Sequence, residues 1–136
     1  DYAFSYCDSL TGVTIPDSVT TIGENAFSWC DSLTSVTIPD SVTTIGYSAF
    51  SYCDGLTSVT IGNSVTTIGY EAFYDCYRLR YVYCKATTPP SLGNNVFYGN
   101  ATGRKIYVPA SDDDSIINAY KSYWQNYQSS IFEYEF

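Results

Sequence analysis

Cysteine, aspartate and tyrosine are the residue types in this chain whose spacing could support chemistry. Cys7, Cys30, Cys53 and Cys76 recur at a step of 23 residues, and Cys84 is a fifth. If the chain coils once per step, neighbouring cysteine Cα atoms come within about 5 Å, inside the disulfide range of roughly 4.4–6.8 Å. In-register side chains point the same way, however, and an odd number leaves one thiol over. The expectation is buried thiols acting as small apolar groups. No C-x-x-C occurs, which argues against a zinc or redox site. Asp8, Asp31 and Asp54 follow three of the cysteines. Stacked carboxyl groups about 5–5.5 Å apart would suit a retaining glycosidase. A turn aspartate accepting backbone N–H bonds is the simpler expectation. Asp112, Asp113 and Asp114 lack the acid spacing and glycine of a calcium loop. They suit the start of a helix instead. Histidine is absent, which removes histidine triads, histidine-ligated zinc and imidazole acid–base catalysis. No catalytic residue, metal or cofactor is therefore expected. What remains is recognition chemistry. Tyr81, Tyr83 and Tyr107 stand near Arg80 and Lys105, and exposed Tyr and Arg are the usual anchors of protein interfaces.

The elements that would position these residues are written in a repeat. Leu10, Leu33, Leu56 and Leu79 keep the 23-residue step, as do Val13, Val36, Val59 and Val82. Ile15, Ile38 and Ile61 follow, with Cys84 in that slot. Val19, Val42 and Val65 repeat, then Ile22, Ile45 and Ile68. Ala-Phe pairs sit at 3–4, 26–27, 49–50 and 72–73. The stretch L-x-x-V-x-I alternates at period two, so it reads as a strand with Leu, Val and Ile inward, ended by Pro16 or Pro39. V-x-x-I-G is a second extended piece, and its glycine is expected at a turn with positive φ. A-F-x-x-C has the spacing of one helical or 3₁₀ turn. A single 23-residue unit cannot bury its apolar face, whereas stacked units can.

The L-x-x-V-x-I-P, V-x-x-I-G and A-F-x-x-C blocks resemble the BspA-like (Treponema pallidum-type) leucine-rich repeats of bacterial and some protozoan surface proteins. The resemblance covers residues 3–84 closely. The tail is similar too, with Cys-Lys-Ala-Thr-Thr-Pro-Pro at 84–90, Ile-Tyr-Val-Pro at 106–109 and Ala-Tyr-Lys-Ser-Tyr-Trp at 119–124. The resemblance implies a secreted or surface-anchored protein linked to adhesion.

The expected fold is an α/β repeat solenoid, a right-handed leucine-rich-repeat superhelix with a parallel strand ladder and a C-terminal helical cap. Residues 1–84 hold the tandem repeats, 85–110 a divergent last repeat, and 111–136 a capping helix and tail. Ile106–Pro109 is expected as the last ladder strand, with 131–136 adding a short strand. Ile116, Ile117, Tyr120, Tyr123, Trp124 and Tyr127 have the spacing of an amphipathic helix. Methionine is absent, including at position 1, so a fragment or processed product is expected. The N-terminus opens mid-repeat. Missing repeats are the favoured explanation, and an edge contact with a partner is the other.

In the ladder the outward slots read Thr14, Thr37, Thr60, Tyr83 and Tyr107, and beside them Gly12, Ser35, Ser58, Tyr81 and Lys105. A hydroxyl row thus becomes an aromatic patch. The candidate partner-binding residues are Tyr81, Tyr83, Tyr107, Arg80 and Lys105, extended by Thr37 and Thr60. A second aromatic row, Tyr6, Trp29 and Tyr52, is the candidate for a glycan. The hydroxyl row is too short and too interrupted for an ordered-water surface. Asn100-Ala101-Thr102 is a glycosylation sequon.

Charge sharpens the partner classes. The net charge of -8 argues against nucleic acid. Residues 1–77 carry nine acids and no Lys or Arg, while 78–136 carry all six cations and five acids. That gradient either keeps the array soluble or steers a partner to Arg78, Arg80, Lys85, Arg104 and Lys105. No apolar run is long enough to span a membrane. The functional expectation is a secreted or surface-bound module that adheres to a host or matrix protein through its strand face. The alternatives are a glycan-recognition module or a structural stalk.

Overall fold

A computed structural model describes residues 1–136. The chain winds through two parallel sheets. The short one holds β1 (Thr21–Ile22), β3 (Thr44–Ile45), β5 (Thr67–Ile68) and β7 (Ser91–Leu92), in that order. The longer one runs β2 (Ser35–Ile38), β4 (Ser58–Ile61), β6 (Tyr81–Cys84), β8 (Lys105–Pro109) and β9 (Ile131–Tyr134). Each strand pairs in parallel with the equivalent residues of the next coil, Val36 with Val59 and Val59 with Val82. The period-two pattern puts Val36, Ile38, Val59, Ile61, Val82 and Cys84 inside, each at most 4% exposed. This is the parallel-strand solenoid that the 23-residue period predicts.

The third side of each coil is a stack of turns, and here the helical expectation is corrected. No helix forms at A-F-x-x-C. Alternate N–H groups cross to the neighbouring coil instead, as in Phe4 N to Ala26 O (2.7 Å), Phe27 N to Ala49 O and Phe50 N to Ala72 O (2.8 Å each). The intervening N–H groups close short turns, such as Ser28 N to Asn25 O (3.2 Å). Left-handed residues at Asn25 (φ 52°) and Trp29 (φ 60°) interrupt any helix. Phe27, Phe50, Phe73 and Phe97 stack beneath the turns with centroids 5.1–5.7 Å apart. They run through one continuous core of 30 buried residues.

The repeat glycines are also corrected. Gly23, Gly46 and Gly69 have no positive φ; those values fall two residues later, at Asn25, Ser48 and Glu71. Glycine is needed because the coils touch there. A Cβ on Gly69 would lie 2.8 Å from Gly46 C and Tyr47 N.

The two ends differ from the interior. Gly12–Ile15 forms no strand, so Thr14 is outside the ladder and β2 is its first strand. Gly12 stands where Ser35 and Ser58 stand in the strands, and glycine weakens an edge strand. At the far end, α1 (Ser115–Tyr123) and a 3₁₀ helix (Gln125–Ser130) cross the last coil. Tyr120 and Trp124 lock them down. The Tyr120 hydroxyl donates to Ala86 O (2.7 Å), and Trp124 Nε1 donates to Pro90 O (2.9 Å). Tyr123 does not join this apolar face and is 78% exposed. The chain then returns as β9, parallel to β8, so the ladder ends one strand beyond Ile106–Pro109. Asp114 is the N-cap of α1 but makes no side-chain cap bond, and Asp113 beside it meets the first helical N–H. Its carboxylate accepts Ser115 N (3.0 Å), and that hydrogen bonding holds its carboxyl below the usual range. No helix is long and apolar enough to cross a membrane.

Candidate functional site

The outward face of the long sheet is built by register. Thr37, Thr60, Tyr83, Tyr107 and Phe132 lie side by side on successive strands. Ser35, Ser58, Tyr81 and Lys105 form the row beside them. Tyr83 and Tyr107 stack with centroids 5.2 Å apart. The chain's last residues close over them. Tyr134 stands 5.4 Å from both rings, and Phe136 meets Tyr83 edge-on at 6.4 Å. Phe132 lies 6.3 Å from Tyr107, and Lys105 Nζ sits 5.6 Å from the Phe132 ring. Burial among these rings, then the neighbouring Tyr134, Tyr107 and Tyr81, raises the Tyr83 phenol above its ordinary range.

Tyr83, Tyr107 and Lys105 are therefore brought into one aromatic cluster. Tyr81 borders it, 42% exposed, and Arg80 is exposed beside it with its backbone held between Thr57 and Lys105. Thr37 and Thr60 lie further along the same face, in a shallow polar groove of about 830 Å³ that also includes Asp17, Asp40 and Lys85. Phe132, Tyr134 and Phe136 complete the cluster and were not among the sequence candidates. Their alternation in Ile131–Phe136 was visible, but their return to the strand face depends on how α1 and the 3₁₀ helix cross the coil. The cluster is half-exposed, with Tyr83 and Tyr107 partly covered and Tyr81, Phe132, Tyr134 and Phe136 open to solvent beside Arg80 and Lys105.

Two of the proposed steering cations are not free. Arg104 turns inward, where its guanidinium donates to Phe97 O (2.8 Å) and lies 5.1 Å from the Tyr127 ring. Burial lowers its pKa from the usual arginine range. Lys85 pairs with Asp40 at 3.4 Å.

All five cysteines are free thiols, and only Cys7 is partly exposed. The Cys30, Cys53 and Cys76 thiols donate to Phe4 O, Phe27 O and Phe50 O at 3.0–3.1 Å. In the next coil Asn100 Nδ2 takes the same role toward Phe73 O (2.9 Å). The sequon amide is thus a structural donor. Asp8, Asp31 and Asp54 accept no backbone N–H bond, contrary to expectation. Asp31 is raised by burial and by Asp54 and Asp8. No cluster of three or more His, Cys, Asp or Glu is arranged to hold a metal. Trp29 stacks between Tyr6 (6.0 Å) and Tyr52 (4.2 Å), so its faces are covered by neighbouring rings. Those faces are what a sugar would need.

A family model described as the BspA type leucine rich repeat region matches residues 1–129 in six copies. No curated protein matches the chain. Among solved structures, the chain is similar to a leucine-rich repeat protein from Bacteroides capillosus ATCC 29799, at 32% identity and TM-score 0.61, covering 74% of this chain and 78% of that one. It is also similar to a leucine-rich repeat protein from Bacteroides ovatus ATCC 8483, at 28% identity and TM-score 0.59, covering 82% and 40%. A leucine rich cell surface protein from Faecalibacterium prausnitzii A2-165 matches at 27% identity and TM-score 0.53, covering 80% and 34%. The chain thus spans less than half the length of the latter two.

Proposed function

From the premise that the chain belongs to the BspA-type leucine-rich repeat family, we propose that it is a non-catalytic module that binds a protein at the cell surface. The proposed binding surface is the outward face of β6, β8 and β9. The observation that carries this reading is the exposed aromatic cluster, with Tyr81 at 42%, Phe132 at 43%, Tyr134 at 44% and Phe136 at 53%. A patch of this kind on a soluble surface marks an interaction site. Tyr81, Tyr83 and Tyr107 serve as anchors, Arg80 and Lys105 as rim cations, and Thr37 and Thr60 as an extension along the groove. A host or matrix protein is the partner. A surface location is consistent with the printed description of the Faecalibacterium structure.

A binding screen of the purified chain against matrix proteins tests this. Saturable binding that Tyr81→Ala weakens is the expected result. Equal binding of Tyr81→Ala, Tyr134→Ala and the unaltered chain would remove the surface from consideration. In the Tyr6, Trp29 and Tyr52 row both faces of Trp29 are covered, which favours the strand face over that row as the binding surface.

A further inference from the structure

The repeats and the C-terminal cap meet in a cleft of about 480 Å³, and no residue of the strand face lines it. Its size falls in the range of small-ligand sites, about 300–1,000 Å³. Tyr70, Asn94 and Asn95 form the repeat side, and Tyr123, Gln125 and Asn126 form the cap side. The composition is specific: planar amides between aromatic rings.

Three features point to one ligand class. First, the amides are available. The side-chain bonds in this region run from Phe97 N to the Tyr127 hydroxyl (3.3 Å) and from Trp124 Nε1 to Pro90 O (2.9 Å). Those bonds leave the amides of Asn94, Gln125 and Asn126 without a protein partner. Each amide donates and accepts at once, which matches neighbouring hydroxyl groups. Second, two exposed rings face this cleft from its two sides. Tyr70 stacks on Tyr47 (5.5 Å, 2° between planes), but the equivalent position in the next coil is Asn94. The row ends at Tyr70, which lines the cleft. Tyr123 is 78% exposed on the opposite wall. The electron-rich face of an aromatic ring attracts polarised C–H groups. Third, no Lys or Arg lines the cleft, so nothing there would hold an anion.

We propose that this cleft binds neutral pyranose units of an oligosaccharide. Tyr70 and Tyr123 pack against the sugar's C–H faces, and Asn94, Gln125 and Asn126 bond its hydroxyls. The site is separate from the strand face and does not depend on the protein-binding reading.

The test is a titration followed by saturation-transfer NMR. The probes are neutral trisaccharides of glucose, N-acetylglucosamine, galactose and mannose, with trigalacturonic acid as the acidic counterpart. The expected result is saturable binding of at least one neutral probe. Tyr123→Ala and Asn126→Ala should each weaken it at least tenfold, while Tyr81→Ala on the strand face leaves it unchanged. Both cleft residues are exposed, so these variants keep the fold, and a thermal melt checks that. The proposal is overturned if no neutral probe saturates at millimolar concentration. It is equally overturned if the acidic probe binds more tightly, or if both cleft variants bind as the unaltered chain does.

Discussion

The cysteine column shows how one small residue can serve both packing and hydrogen bonding. Cys53 is fully buried, and its thiol donates to Phe27 O, a carbonyl displaced from its own ladder by the turn. Cys53→Ala should destabilise by about 1–3 kcal/mol, because the carbonyl loses its partner in the core. Cys53→Ser keeps a donor and should cost less; urea melts of the two variants give the order. The thiols also predict an alkaline limit. Burial pushes Cys30 from 9.0 up to about 12. The neighbouring Cys76 and burial push Cys53 up as well, and burial raises Cys84. A raised acid pKa means that the folded state holds the proton more tightly. The stabilisation is complete below the unfolded thiol value of 9.0 and is lost as pH rises toward the folded values. Melting temperature should therefore fall steadily between pH 9 and about 12, and a flat profile there would contradict the buried column.

Among the elements, the coil-to-coil contact at the repeat glycines sets the pitch. Gly69→Ala forces a methyl to within 2.8 Å of backbone that cannot yield, so it should destabilise by about 1–3 kcal/mol, as overpacking does. An unchanged denaturation midpoint would mean that the coils are not in contact there. The sequence made this element legible only in part. The 23-residue step placed Leu33, Val36 and Ile38 inward because burial enforces period two, and the strands follow. It marked Gly69 as special but not why, since a close approach between coils leaves no local signature. It also read A-F-x-x-C as helical, because the bonds that replace helix bonds go to residues 22 or 23 positions away. The site divides the same way. Tyr83 and Tyr107 were legible from register alone. Phe132, Tyr134 and Phe136 reach the face only through the crossing of α1, and Arg104 was drawn inward by the Phe97 carbonyl.

Across the whole molecule, charge is separated end to end. Residues 1–77 hold nine acids and no Lys or Arg, and coils in register bring Asp8, Asp31 and Asp54 alongside one another. Like charges repel across the stack, and salt screens them over a Debye length of about 8–10 Å. Raising sodium chloride from low to moderate concentration should therefore raise the melting temperature, read by circular dichroism. A decrease would mean that attractive pairs such as Lys85–Asp40 outweigh the repulsion. The proposed binding surface, with Lys105 against its rings, lies at the opposite end of the long sheet. The most direct measurement is the affinity for a matrix protein of the unaltered chain and of the variant carrying Tyr81→Ala, Tyr83→Ala and Tyr107→Ala together. Loss of anchors worth about 2 kcal/mol or more predicts at least a thirtyfold weaker complex from a folded variant. An affinity equal to that of the unaltered chain would contradict the strand face as the binding surface.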